Sequence, residues 1–126
     1  MPTASKPFAE TFDELRAILK PYAGELLVMT DKPGEYTLGM RTAKDRVGRP
    51  LFAASVRAGK AYVSYHLMGV YGAPDLLKGI SPELRKRMQG KSCFNFKSIE
   101  PDRVRELSAL TKKSLDRMKT FKLPWA

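Results

Sequence analysis

One cysteine, one histidine and one tryptophan among 126 residues leave little room for several common chemistries. A single cysteine, Cys93, cannot form an intrachain disulfide, which suits a reducing cytoplasm. Together with His66 it cannot supply the four nitrogen and sulfur ligands of a closed zinc site. The longest apolar run is about five residues, against roughly 20 for a bilayer-spanning helix, so no membrane segment is expected. The opening "MPTASKPFAETFDEL" lacks the basic-then-apolar order of a secretory signal, and a cytoplasmic location is expected. No internal repeat or low-complexity linker divides the chain.

What is abundant is positive charge. Lys and Arg number 23 against 13 acids, giving a net charge of +10 and a pI near 9.9. That balance points to anionic partners: a small anionic ligand, an acidic protein or nucleic acid. The cations are scattered along the chain, as a solvated basic surface also requires. Hydrophobic residues make up 43%, enough for one globular domain over 1–126, with 1–7 and 120–126 expected to be loosely ordered.

Phe8, Phe12, Leu15, Ile18 and Leu19 fall at helical spacing and predict a first helix over 8–20. Thr11 and Glu14 match a capping box, and Pro21 stops the helix. From Glu25 to Met68 the period changes to two. "ELLVMT", "YTLGMRT", "PLFAASVRA" and "AYVSYHLMG" read as strands, separated by "DKPGE", the basic loop "AKDRVGR" and a tight turn at Gly59-Lys60. Such short connections require antiparallel neighbours. Two short helical pieces follow in "VYGAPDLLKGISPELRKRM", then a fifth strand, "KSCFNFK". A last helix runs from Pro101 to about Lys119, with Val104, Leu107, Leu110, Leu115 and Met118 on one side, and Trp125 in the tail is placed to dock on the domain. The order α-β-β-β-β-α-α-β-α predicts an α+β fold. Its architecture is a two-layer αβ sandwich, with a mainly antiparallel sheet of about five strands and the terminal helices on one face. The other face is open or shared with a second copy.

Gly90-Lys91-Ser92 resembles the end of a phosphate-binding loop, but Arg85 occupies the place of the first glycine. The context is also reversed, because the triplet enters a strand where the motif enters a helix. A thiol nucleophile at Cys93 needs His66 as its base. Alternation puts Ser64 with His66, and Cys93 with Asn95. If Phe94 and Phe96 point to the helices, Cys93 joins His66 on the open face only where the two strands are neighbours in the right register, which alternation does not give. A lone cysteine among aromatics is more often a small buried hydrophobe. Glu10, Asp13 and Glu14 share one side of the first helix and are the candidate oxygen ligands for a hard or ferrous ion, although such triplets are usually a solvated face. Arg85, Lys86, Arg87 and Lys91 form a basic rim before the fifth strand. Tyr62 and Tyr65, beside Lys60, Lys91 and Lys97, offer a nucleic-acid platform on which at most one tyrosine can serve.

The block from Gly59 to Lys97, "GKAYVSYHLMGVYGAPDLLKGISPELRKRMQGKSCFNFK", resembles the YdhG-like family of small bacterial domains, and "ELSALTKKSLDRM" continues the likeness. The resemblance implies a compact αβ sandwich with no established enzymatic activity for most members and no resident cofactor. One branch is described as a frataxin-like iron chaperone, which would make Glu10, Asp13 and Glu14 the iron ligands. The pattern marks Tyr65, His66, Lys91, Ser92, Cys93 and Asn95 without assigning them roles, and Arg87 joins them from the basic rim. The expectation is a non-enzymatic binding domain for a small anion or an acidic partner. Iron delivery, a Cys93/His66 enzyme and nucleic-acid binding are the alternatives.

Overall fold

The computed structural model describes residues 6–44, 47–90 and 92–119. The expectations for residues 1–5, for Lys91 and for the tail with Trp125 lie outside them. Helix α1 spans Lys6–Leu19 and continues as a 3-10 turn, Lys20–Tyr22, where Pro21 removes a backbone donor. Phe12, Leu15, Ile18 and Leu19 are buried, as their spacing predicts. The helix starts before Phe8, so Lys6 and Pro7 belong to it, and Thr11 is not its cap. Thr11 is buried in mid-helix, and its hydroxyl donates to the Lys97 carbonyl at 3.1 Å. The capping-box pattern is overridden because the backbone amides that Thr11 would serve lie inside the helix.

The strands are β1 Leu27–Lys32, β2 Glu35–Lys44, β3 Pro50–Ala58, β4 Val63–Leu67, β5 Met88–Gln89 and β6 Cys93–Phe96. They form one sheet in the order β1-β2-β3-β4-β6-β5, with every pair antiparallel. The α+β class and the antiparallel sheet therefore follow the sequence reading. The two-residue β5 is an additional strand. It places Gly90 and Ser92 between two strands, with Gly90 at φ +78°, a conformation that suits glycine. The Gly59-Lys60 turn is wider than two residues: Ala58 pairs with Val63, and Gly59 N donates to the Tyr62 carbonyl at 2.9 Å.

Between β4 and β5 lie three short helical pieces, not two: α2 Met68–Gly72, a 3-10 helix Pro74–Gly79, and α3 Pro82–Arg85. Ser81 caps α3 by accepting from Leu84 N at 3.1 Å, as the Ser-Pro pair predicts. Helix α4 spans Pro101–Met118. Its buried side, including Leu107, Leu110, Leu115 and Met118, joins α1 in covering the sheet face that carries Tyr36, Leu38, Val56, Val63, Tyr65, Leu67, Phe94 and Phe96.

One contact ties this layer to the sheet, and a second ties α2 to α4. Thr111 Oγ1 donates to the Leu107 carbonyl at 2.7 Å, so Tyr65 Oη donates to Thr111 at 2.6 Å. Burial pushes the Tyr65 phenol above its ordinary pKa and keeps it a donor. Gly69 of α2 lies against α4 so closely that an added Cβ would stand 2.3 Å from the Ser114 carbonyl oxygen. Backbone cannot yield there as a flexible side chain can. Gly69→Ala is therefore expected to destabilise the protein by about 1–3 kcal/mol in urea unfolding. Gly79→Ala, with open space around it, serves as the control and should leave the midpoint nearly unchanged.

Candidate functional site

The site is built by alternation. Val63, Tyr65 and Leu67 of β4 and Phe94 and Phe96 of β6 are fully buried under the helices, which turns Ser64, His66, Cys93 and Asn95 to the other face. Register extends this into two rows across the sheet. One runs Thr30, Thr37, Ser55, His66, Cys93, Gln89, from β1 to β5. The second runs Lys32, Glu35, Arg57, Ser64, Asn95. Arg87 continues it, because its carbonyl accepts from Asn95 N at 2.8 Å.

Within these rows the short polar groups satisfy one another. Ser64 Oγ donates to Asn95 Oδ1 at 2.9 Å, and Asn95 Nδ2 donates to Gln89 Oε1 at 2.6 Å. The Cys93 thiol points at the same Asn95 oxygen, at 3.6 Å. His66 Nε2 is 2.7 Å from Ser92 Oγ, and Ser92 is buried in the β5–β6 loop. The rings of Phe52 and His66 meet edge to face, 5.3 Å between centroids.

Phe52 is a residue that simple alternation misplaces. Counting back from Val56 and Ala54 puts it in the core. A bulge reverses the count: Leu38 pairs with Ala54, but the next residue, Gly39, pairs with Phe52, leaving Ala53 extra. Phe52 is thereby delivered to the open face beside His66. Met29, itself 41% exposed, lies over Gly39, with its sulfur 2.4 Å from where a Cβ would be. The Ala53-Ala54 pair is the only trace of the bulge in the sequence, and it is a weak one. Thr37 and Ser55, by contrast, were recoverable from alternation in their strands.

The expected site residues divide accordingly. His66, Cys93 and Asn95 stand together on the open face, with Ser92 beneath His66 and exposed Arg87 at the rim. Tyr65 faces the opposite way and is fully buried, so it belongs to the core and not to a ligand site. Lys91 lies outside the described residues. Glu10, Asp13 and Glu14 are exposed on α1, which packs on the helical side of the sheet. Among the described residues no group of three or more His, Cys, Asp or Glu could hold a metal ion.

His66 and Cys93 are register partners, yet each is turned to a different group. Burial pushes the Cys93 thiol above its ordinary pKa, with the Ser64 hydroxyl offsetting only part of that. Burial also lowers the His66 pKa, keeping the imidazole neutral at pH 7. A neutral histidine beside a protonated thiol is the reverse of an activated ion pair. No described helix is long and apolar enough to cross a membrane.

Two outcomes follow from these directions. Cys93 should react with iodoacetamide at neutral pH at least about tenfold more slowly in the folded protein than in denaturant. Because the unfolded chain takes up the His66 proton first, stability should be fully present above pH about 6.5 and fall below it, down to the lowered folded pKa. Thermal melts from pH 5 to 8 should show this fall in the native protein, reduced in His66→Gln. Comparison with protein-family models, curated proteins and solved structures returned no match.

Proposed function

We propose that this chain is a non-catalytic binding domain whose open sheet face takes an extended anionic partner. The observation that carries the reading is the row Arg57, Ser64, Asn95, Arg87 on a face that α1 and α4 leave uncovered. Arg57 and Arg87 stand three strand spacings apart, on the order of 14 Å between their backbones. Two guanidinium groups so placed engage separate charges of one extended partner more readily than they clamp a single small oxyanion. Between them lie short polar side chains, which allow close approach.

The one acid in the row, Glu35, holds Arg57 at 3.3 Å and Lys32 at 3.7 Å. These are exposed pairs, worth up to about 1 kcal/mol, and an arriving phosphate or carboxylate can replace Glu35. The net charge of +10 favours the approach of such a partner at low salt. The raised thiol pKa of Cys93 favours binding over thiol catalysis. The likeness of Gly59–Lys97 to the YdhG-like domains agrees with a small non-enzymatic module. The iron-chaperone reading rests on Glu10, Asp13 and Glu14 alone and is the weaker one.

The test is titration with long-chain polyphosphate at low and high salt. Binding should weaken steeply as salt rises. The double variant Arg57→Gln/Arg87→Gln should bind about tenfold or more weakly than the native protein, since each charged hydrogen bond contributes roughly 1.5–3 kcal/mol. Undiminished affinity in the double variant would remove this face from the reading.

A further inference from the structure

Charge alone does not distinguish an acidic protein from a nucleic acid, but the rings beside the charge do. Phe52 and His66 form an edge-to-face pair on the open face, His66 standing two residue pairs along β4 from the Arg57–Ser64 position. The bulge at Ala53 removes a large ring from the core side of β3 and leaves it half-buried on the outside. Met29 continues the apolar corner over Gly39, the register partner of Phe52. Thr37, Ser55, Ser64 and Asn95 keep the surrounding surface flat and polar.

We propose that the open face binds single-stranded nucleic acid, with a base stacked at the Phe52–His66 pair and backbone phosphates drawn to Arg57 and Arg87. This rests on the anion-binding reading above and names the partner class. The physical argument is the pairing of two needs. A single strand presents apolar π-faces and a regular line of negative charge, and a platform for it combines aromatic rings with cations beside them. An acidic protein surface has use for the guanidinium groups, but none for a half-buried ring pair at their side. A duplex hides its base faces in the stack and cannot use the rings either. His66 is neutral at pH 7, so it acts here as a ring and not as a charge. Its Nε2 contact with Ser92 holds the imidazole in place.

The experiment follows the fluorescence anisotropy of a labelled oligothymidylate of about 12 nucleotides, a length within the usual single-strand site size. Unlabelled duplex of the same length, polyphosphate and poly-glutamate serve as competitors. The native protein is expected to bind the oligothymidylate at low salt and to prefer it to the duplex. Phe52→Leu keeps an apolar side chain and removes the ring. It should weaken oligothymidylate binding about tenfold or more while leaving polyphosphate affinity unchanged, because stacking contributes to the first partner alone.

Phe52→Trp gives a second readout that does not depend on loss of binding. Its added fluorescence should be quenched by oligothymidylate and not by polyphosphate. An unquenched Trp signal, or a Phe52→Leu variant that binds oligothymidylate as the native protein does, overturns the stacking site. Binding of polyphosphate or poly-glutamate without oligothymidylate overturns the nucleic-acid partner while the anion-binding face stands. Failure of all three probes overturns both.

Discussion

The structure depends on the two-residue period of β4 and β6 under a single helical layer. Phe94, Phe96, Val63, Tyr65 and Leu67 have only one buried face open to them in this sheet, since α1 and α4 cover only one side. Burying a side chain of this size contributes roughly 1.5–3 kcal/mol, and a slip of one residue would forfeit all of them together. Their placement leaves Ser64, His66, Cys93 and Asn95 no choice but the other side. The candidate site is thus a consequence of core packing, with its register set by residues buried on the opposite face.

The buried polar contacts reinforce that register. The Tyr65 hydroxyl donates to Thr111 of α4, and the Thr111 hydroxyl donates in turn to the Leu107 carbonyl. A buried phenol without that acceptor would lose about 1–3 kcal/mol to desolvation, so the bond selects one position of α4 over its neighbours. Thr11 does the same for α1 at the end of β6. Both threonines lie on helices where sequence rules assign them other duties or none. Gly69 then sets how near α2 approaches α4, because the Ser114 backbone leaves no room for a methyl group.

Chemistry on the open face is shaped by the same burial. His66 and Cys93 are half-covered by their neighbours, enough to disfavour the charged form of each. Their hydrogen bonds run sideways, to Ser92 and Asn95, and not to one another. The result is a polar, largely self-satisfied surface with positive charge at its margins. The recognition proposed for such a surface rests on shape, stacking and charge.

Much of this was legible in the residues themselves. While the pairing of His66 with Cys93 came from the β4–β6 register, the period of 3.6 in α1 and α4, the alternation from Glu25 to Met68, and the Phe-x-Phe of β6 determined the α+β class and which residues share a face within each strand. These are local signals, because each follows from which side of one element is apolar. Strand order, the two-residue β5 and the Thr11 contact were decided only in the folded molecule, since each requires a partner distant in the chain. Phe52 shows the difference most sharply. Alternation within β3 assigns it to the core, and only its pairing with Gly39 of β2 reverses that. A bulge is a property of two strands in register, and neither strand carries it alone.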